Sequence, residues 1–251
     1  MKPILRHTIA TVAVAAFCVV TMLIMRLSET QRRELTCVAL DTQITDSLGF
    51  VTVKDIESCL ETHYGQYIGQ RLDEIELSRI EKILVSRSAV SKCEAWTTDD
   101  GILHISIKQR IPALRFQNGD KGFYVDESGF IFPLDANYTA PVTVIKGNIP
   151  MLSQDGDHSW LDKVMAMLRF IQKSRKWAGF WSSISVADNG DFILFPAEGK
   201  ERFIFGKPDD FAQKFAKIER YYSTIKPNKE ENYYKSVNVK FNGQIICRKD
   251  L

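Results

Sequence analysis

The stretch Asp99–Leu134, DDGILHISIKQRIPALRFQNGDKGFYVDESGFIFPL, decides the fold that we predict for this chain. Within it, Leu103–Ile107 alternates apolar and polar residues, which is the period of a strand with one buried face. Asp100-Gly101 before this strand can form the turn of a hairpin. Pro112 after it ends the ladder, because proline has no N–H to donate. We therefore predict that one domain ends here and that another begins.

A second block of short strands begins after Pro112. Two turn-forming sequences, Asn118-Gly119 and Glu127-Ser128-Gly129, separate the apolar runs Phe123–Val125 and Phe130–Phe132. Short apolar runs between such turns are typical of antiparallel strands joined by hairpins. The block is thus predicted to open as a β-meander, and the two domains are expected to fold separately.

The same stretch resembles a known family. The run D-G-x-L-x-I-x-I-x-Q-R-x-P-x-x-R, followed by F-Y-V-D-x-x-G-x-I-F-P-L, is similar to the join between the POTRA domain and the β domain of the bacterial division protein FtsQ, called DivIB in other lineages. Gly69–Val90 is similar to the family's G-x-x-L…IE-x-x-L…V pattern, and Pro141–Asn148 matches further downstream. Residues 150–235 match in the order of elements more than in motif. The resemblance implies an α+β fold with a single N-terminal transmembrane helix, a small POTRA domain, and a mainly antiparallel β domain with helices packed on the sheet.

The composition of the chain argues against several classes of function. The chain has 251 residues, a formal net charge of +2, 45% hydrophobic and 25% charged residues, which is ordinary for a globular protein. Lys and Arg are scattered, so a nucleic-acid partner is not expected. The five cysteines show no C-x-x-C spacing, so no metal site and no cofactor is predicted. Cys59 and Cys93 fall on predicted core faces and could form a disulfide, although two buried thiols are the more usual outcome.

The N-terminal region predicts a membrane anchor. Residues 8–25 contain no charged residue, and about 18 helical residues span roughly 27 Å, close to the thickness of a bilayer core. The alternative is a signal peptide cleaved after Ala13-Val14-Ala15, but cleavage there would leave apolar Phe17–Met25 at the new N-terminus. Flanking charges do not decide the orientation. The resemblance implies a short cytoplasmic tail (1–7), a single-pass helix in the inner membrane, and a linker (26–36) that leads into periplasmic domains.

The first predicted domain, 37–111, has one strand, two helices and two further strands. The first strand is Cys37–Leu40, and a helix that opens at Val53 carries one apolar face. The face residues of the two helices are Ile56, Cys59, Leu60 and His63 in the first, and Ile80, Ile83 and Leu84 in the second. Strands at 90–96 and 102–108 complete the β-α-α-β-β order of a POTRA domain.

The second predicted domain, 112–251, contains many short strands and two helices. The strands are predicted at 114–116, 123–125, 130–132, 142–145, 182–187, 191–195, 202–205 and 236–247. One helix is predicted to begin with a capping box, Ser159-x-x-Asp162, and the other at Pro208-Asp209-Asp210.

Catalytic residues are not predicted. The four histidines are dispersed, and none lies in a motif such as G-x-S-x-G or H-E-x-x-H. Asp126-Glu127 could act as an acid/base pair, but turn carboxylates are usually caps. We therefore expect a non-enzymatic protein. One alternative is a membrane-tethered cell-wall enzyme. The other is an outer-membrane assembly or secretion component with a POTRA domain, but such a component would require a series of barrel strands that this chain cannot accommodate.

The resemblance implies a scaffold of the division machinery that links early division proteins to the FtsB–FtsL pair and to septal peptidoglycan synthesis. Other division proteins are expected to bind through the POTRA domain. V-N-V-K-F at 237–241 is similar to the family's V-D-L-R-Y, whose free edge pairs with a strand of FtsB. The predicted partner-binding residues are Val237, Val239, Lys240, Phe241, Asn242, Gly243, Gln244, Ile245 and Ile246. The alternative is a last core strand followed by a turn at Asn242-Gly243 and a return arm from Gln244 to Cys247.

Overall fold

The computed structural model describes residues 14–25, 35–136, 138–230 and 233–249. The chain divides into two compact units between Gln109 and Arg110. Residues 14–25 are helical, whereas the predicted tail (1–7), the rest of the predicted membrane segment (8–13) and most of the linker (26–34) lie outside the described residues. Among the helices that the structure describes, none is long and apolar enough to cross a membrane.

The first unit has the predicted order of elements. These are β1 (Ala39–Ile44), α1 (Val53–His63), α2 (Leu77–Val85), β2 (Val90–Thr97) and β3 (Ile102–Gln109). The strands form one sheet in the order β1-β3-β2, with β1 parallel and β2 antiparallel to β3. The strand predicted at Cys37–Leu40 is displaced towards Ala39, because the backbone of Cys37 pairs with Gln70 instead.

Helix α1 begins at a capping box formed by Thr52 and Asp55. The N–H of Asp55 donates to Thr52 Oγ1, and the N–H of Thr52 donates to Asp55 Oδ2 at 2.8 Å. The hydroxyl and N–H of Thr52 hold the pKa of Asp55 below its ordinary value. The helix then buries Ile56, Cys59 and Leu60, and His63, predicted to lie at the partly exposed edge of this face, is exposed.

The core of the first unit lies between the two helices and one face of the sheet. Its fully buried residues include Ile56, Leu60, Ile80, Leu84, Leu103 and Ile107. Cys59 and Cys93 also belong to this core and are free thiols. On the opposite face of the sheet, Trp96 stacks on His104 with ring centroids 5.2 Å apart, and Trp96 stays 42% exposed.

Within its described residues, the second unit contains nine strands and two α-helices. They are β4 (Pro112–Asn118), β5 (Lys121–Asp126), β6 (Ile131–Pro133), β7 (Thr143–Gly147), α3 (Ser159–Lys173), β8 (Trp181–Val186), β9 (Phe192–Pro196), β10 (Arg202–Gly206), α4 (Phe211–Arg220), β11 (Ser236–Asn238) and β12 (Ile246–Arg248). The strands form a single sheet in the order β12-β11-β10-β9-β8-β7-β4-β5-β6. Side chains of α3 and α4 pack with those of the strands in one apolar core.

Among the described residues the sheet is mixed, with five antiparallel and three parallel pairs, so it is mainly antiparallel, as predicted, and also contains parallel pairs that the sequence did not indicate. Two parallel pairs arise because a helix connects their strands. Helix α3 leads from β7 to β8, and α4 leads from β10 to β11. Parallel neighbours need such a crossover, whereas a tight turn produces an antiparallel pair.

The starts of the two helices differ in how well the sequence predicted them. The capping box predicted at Ser159 and Asp162 is wrong, because Ser159 lies inside the helix and its N–H donates to Asp157 Oδ1 at 2.8 Å. Helix α4 begins at Phe211, after Pro208-Asp209-Asp210, as predicted. Its Phe215 is buried among the rings of Phe170, Trp177 and Phe205.

Candidate partner-binding edge

The C-terminal hairpin of β11 and β12 forms one edge of the large sheet. Strand β11 lies between β10, to which it is parallel, and β12, to which it is antiparallel. Both sides of β11 are therefore paired, and the prediction that the strand from Val237 has a free edge is wrong in position. The predicted strand 236–247 is divided by a turn at Asn242-Gly243, where Gly243 has φ = +72°. The alternative with a return arm describes this segment correctly.

The hydrogen bonds between β10 and β11 determine which backbone groups of β12 point away from the sheet. The N–H of Arg202 donates to the carbonyl of Lys235, and the N–H of Val239 donates to the carbonyl of Ile204, both at 3.0 Å. The odd-numbered residues of β11 thus face β10, and its even-numbered residues face β12. Because alternate residues of a strand direct their hydrogen bonds to opposite sides, the N–H and carbonyl of Cys247 point away from the sheet. Within the described residues, no strand lies on that side.

The predicted partner-binding residues divide into buried and exposed groups. Val237 and Val239 are fully buried in the apolar core, so their side chains cannot contact a partner. Lys240 is half-buried, and its Nζ contacts Asp191 Oδ2 at 2.9 Å. Phe241 is 43% exposed. The others are Asn242, Gly243 and Gln244, which are exposed, and Ile245 and Ile246, which are half-buried.

Helix α4 fixes the position of this hairpin. The ammonium group of Lys217 donates to the carbonyls of Val239 and Phe241, the second at 2.8 Å. Burial lowers the pKa of Lys217, and the neighbouring charge of Lys214 acts in the same direction. The two hydrogen bonds hold the segment between β11 and the turn against the helix.

A close backbone approach adds a second constraint on the hairpin. Gly206 at the end of β10 has φ = +80°, and a Cβ atom there would lie 2.7 Å from Cβ of Lys240. Only glycine fits at this place, because any side chain would clash and would also be strained by the positive φ.

A groove lies beside the hairpin. It has a volume of about 400 Å³. It is lined by Gln213, Lys217, Arg220, Thr224, Ile225, Gly243, Gln244 and Ile245. Residues 233–249 contain Lys235, Lys240, Arg248 and Lys249 and no acidic residue. The edge and its groove therefore favour a partner segment that carries negative charge.

The opposite edge of the sheet, β6, is closed to strand addition. The N–H of Ile131 donates to Gln154 Oε1 at 3.0 Å, so it is already satisfied. Pro133 has no N–H, and its presence is a common way to protect an edge strand. Of the two edges of this sheet, β12 is thus the one at which we find an outward N–H, that of Cys247, without a partner in the described part of the chain.

Comparison with known families agrees with this architecture. A family model described as FtsQ/DivIB, C-terminal related, matches residues 111–248, which is more than half of the chain. The chain belongs to the FtsQ/DivIB family. A second model, for a POTRA-like domain, matches residues 35–108. These two domains indicate a role in cell division, and they are generally non-enzymatic. No curated protein matches the chain.

Two residues of the FtsQ/DivIB-type edge were missed by the sequence prediction. Cys247 and Arg248 belong to β12, beyond the predicted set that ended at Ile246. The Asn242-Gly243 turn was the signal for a separate strand, and the alternative with a return arm used it to place Cys247, but not Arg248, on that strand. Burial raises the pKa of the Cys247 thiol, so this side chain is a neutral, half-buried apolar group, while Arg248 is exposed.

The carboxylate considered as a catalytic acid has a structural role. Asp126 is 8% exposed, and its Oδ2 accepts a hydrogen bond from Arg110 at 3.0 Å. Its Oδ1 accepts from the N–H groups of Ser128 and Phe130, which closes the turn between β5 and β6. The guanidinium of Arg110 also lies over the ring of Phe130, 3.5 Å from its centroid. Glu127 is exposed in the same turn.

In the described residues, no cluster of His, Cys, Asp or Glu could hold a metal ion.

Proposed function

We propose that this chain is a non-enzymatic scaffold of the bacterial division machinery, and that it recruits its partner by accepting a strand at β12. An FtsB-like protein, together with an FtsL-like protein, is the proposed partner at this edge. The POTRA domain is proposed to bind other division proteins. This arrangement would link early division proteins to septal peptidoglycan synthesis.

The open edge at β12 is the observation that supports this proposal. An incoming strand can bond to the N–H and carbonyl of Cys247, and the neighbouring residues supply side-chain contacts. Strand β12 has only three residues. Because each backbone hydrogen bond contributes about 0.5–1.5 kcal/mol net, side chains must provide much of the affinity. Exposed Phe241 and the groove beside Ile245 are suited to receive an apolar anchor of the partner.

The positive charge of the edge supports the same kind of partner. Arg248 is exposed, and Lys217 and Arg220 line the groove. An acidic partner strand would be attracted to this surface, whereas a second copy of β12 would be repelled by it. The partner segment is therefore proposed to carry Asp or Glu on both sides of the residues that pair with β12.

Capture in living cells tests this function. A photo-crosslinking amino acid at exposed Gln244 is expected to form a covalent product with a membrane-bound division protein, identified by mass spectrometry. The matched control is the same amino acid at Met151, which is fully exposed but belongs to a loop. Capture of unrelated proteins alone at Gln244, or equal capture of the division protein at Met151, would contradict the proposal.

We also propose that residues 27–251 lie in the periplasm, held by residues 8–25 in the inner membrane. The uncharged apolar span and the family membership support this topology. A phosphatase reporter that is active only outside the cytoplasm, fused after Leu251, is expected to be active. A silent phosphatase together with a working cytoplasmic reporter at the same position would show the reverse orientation.

A further inference from the structure

We propose that the β1 edge of the first unit accepts the β12 edge of a second copy of this chain. Both edges have outward backbone groups without a partner among the described residues, and the two edges carry opposite charge. The pairing itself does not depend on the proposed function. Its competition with a division partner for Cys247 does rest on that function.

The first unit, like the second, has one protected edge and one open edge. Helix α2 packs along β2. Its Glu81 Oε1 accepts a hydrogen bond from the N–H of Ala95 at 3.0 Å, which satisfies a donor that points away from β3. In the part of the chain that the structure describes, we find no such cap on the outer side of β1 along Leu40–Ile44. Just before that strand, the backbone of Cys37 forms hydrogen bonds with Gly69 and Gln70. These bonds cover only the beginning of the edge.

The outward groups of β1 can be assigned from one hydrogen bond. The N–H of Thr45 donates to the carbonyl of Ile107, so the odd-numbered residues of β1 face β3. By alternation, Leu40, Thr42 and Ile44 direct their N–H and carbonyl groups outward. Thr42 is at the centre of this edge, as Cys247 is at the centre of β12. The six-residue strand β1 thus presents outward donors and acceptors on three residues, and the three-residue strand β12 presents those of Cys247, so β12 can pair with one part of the β1 edge.

The charges of the two edges are complementary. Residues 35–50 contain Asp41 and Asp46 and no Lys or Arg, whereas residues 233–249 contain four cations and no acid. One of these cations, Lys240, is neutralised by Asp191, but exposed Arg248 lies on β12 itself. The carboxylate of Asp41 contacts His104 Nδ1 at 3.0 Å, and the side chain of Asp41 is still 47% exposed. Pairing β1 with β12 joins unlike charges, whereas pairing two β12 edges or two β1 edges joins like charges.

Such a contact uses different surfaces on the two copies, so it can continue from one copy to the next. It is also expected to be weak, because β12 provides only three residues. The association would therefore depend strongly on the local concentration of the chain. A copy whose β12 is occupied in this way would not be available to another strand.

Crosslinking between isotopically distinct copies of the full-length purified chain tests the pairing without any partner protein. Equal amounts of ¹⁴N- and ¹⁵N-labelled chains, both with a photo-crosslinking amino acid at Gln244, are mixed in mild detergent and irradiated. We expect a product that joins Gln244 of one copy to the peptide with residues 39–44 of the other. A crosslinker at exposed Glu94 on the capped β2 edge is expected to give no such product with the β12 peptide.

Variants separate edge pairing from other causes. Thr42→Pro removes the outward N–H of β1 and is expected to lower the yield on the order of tenfold, whereas Thr42→Val keeps this N–H and the yield. Gln43→Lys is expected to lower the yield about two- to fivefold through repulsion from Arg248, and Arg248→Glu in the same chain should restore it. The proposal would be overturned if the crosslink yield of Thr42→Pro were unchanged, or if all crosslinks joined residues of the same copy. It would also be overturned if Arg248→Glu did not restore the yield of Gln43→Lys. A loss of partner capture in cells would leave these outcomes unaffected.

Discussion

Replacing Cys247 with proline is expected to abolish capture of the division partner while the second unit remains folded. Proline removes the outward N–H at the centre of β12, and its ring occupies space that an incoming strand needs. The β11–β12 ladder does not use this N–H, and proline is tolerated on edge strands when the lost donor faces solvent. We expect affinity to fall by more than about tenfold, equivalent to 1.4 kcal/mol. Binding of the purified partner by calorimetry, together with a thermal unfolding curve, measures both properties.

Cys247→Ala is the matched control, because it removes the same thiol but keeps the N–H. It should bind nearly as well as the unmodified chain. If Cys247→Pro is too unstable to assess, Arg248→Glu provides a second route, since it leaves the backbone unchanged. It should weaken binding of an acidic strand, with a smaller difference at high salt. Full affinity in both folded variants would exclude β12 as the binding edge.

Lys240 is a poor position for this test, although the sequence made it attractive. Its ammonium group contacts Asp191, whose side chain is 11% exposed. Lys240→Glu would place two carboxylates together in a largely buried site and would destabilise the sheet. A loss of binding in that variant would therefore report on folding and not on the partner surface.

Asp126→Ala is expected to destabilise the second unit by about 2–4 kcal/mol, because it removes a largely buried carboxylate that accepts hydrogen bonds from Arg110 and from two backbone N–H groups. The variant would leave Arg110 without this carboxylate and the N–H groups of Ser128 and Phe130 without their acceptor. Urea denaturation followed by circular dichroism should show a lower midpoint with an unchanged slope.

The neighbouring substitution Glu127→Ala is the control for this prediction. Glu127 is exposed in the same turn, so its loss should change the free energy of unfolding by less than about 0.5 kcal/mol. Asp126→Asn should fall between the two variants, since an amide oxygen can still accept hydrogen bonds but carries no charge. Equal stability of Asp126→Ala and Glu127→Ala would mean that the buried pair does not stabilise the fold.

Local patterns in the sequence predicted most of the elements. The predicted turns Asp100-Gly101 and Asn118-Gly119 lie between paired strands, because glycine in these turns adopts a positive φ that other residues avoid. Apolar spacing also located α1, α2 and α4 to within a few residues. Each of these signals is contained within about ten neighbouring residues, which is why a single sequence reveals them.

The strand order and the open edge depend on contacts between distant residues and could not be predicted in the same way. Nothing local to Val144 or Ile184 indicates that β7 and β8 run parallel, since the reason is the intervening helix. The sequence prediction assigned the open edge to β11, whereas β12 is the edge strand. The reason is that the alternation from Val237 to Phe241 is equally suited to an edge strand and to a core strand. The contact of Lys217 with the carbonyls of Val239 and Phe241, which positions the hairpin, joins residues more than twenty positions apart.

The four tryptophans of the chain are unequally distributed between its two units. Trp96 is on the open face of the first sheet, stacked on His104, whereas Trp160, Trp177 and Trp181 belong to the aromatic core of the second unit. An indole in contact with water emits at longer wavelength than one enclosed by apolar side chains. A single emission spectrum of the intact protein thus contains separable contributions from the two units. Loss of the short-wavelength component during denaturation would report the opening of the second unit alone, and replacing Trp96 with phenylalanine would isolate that signal completely.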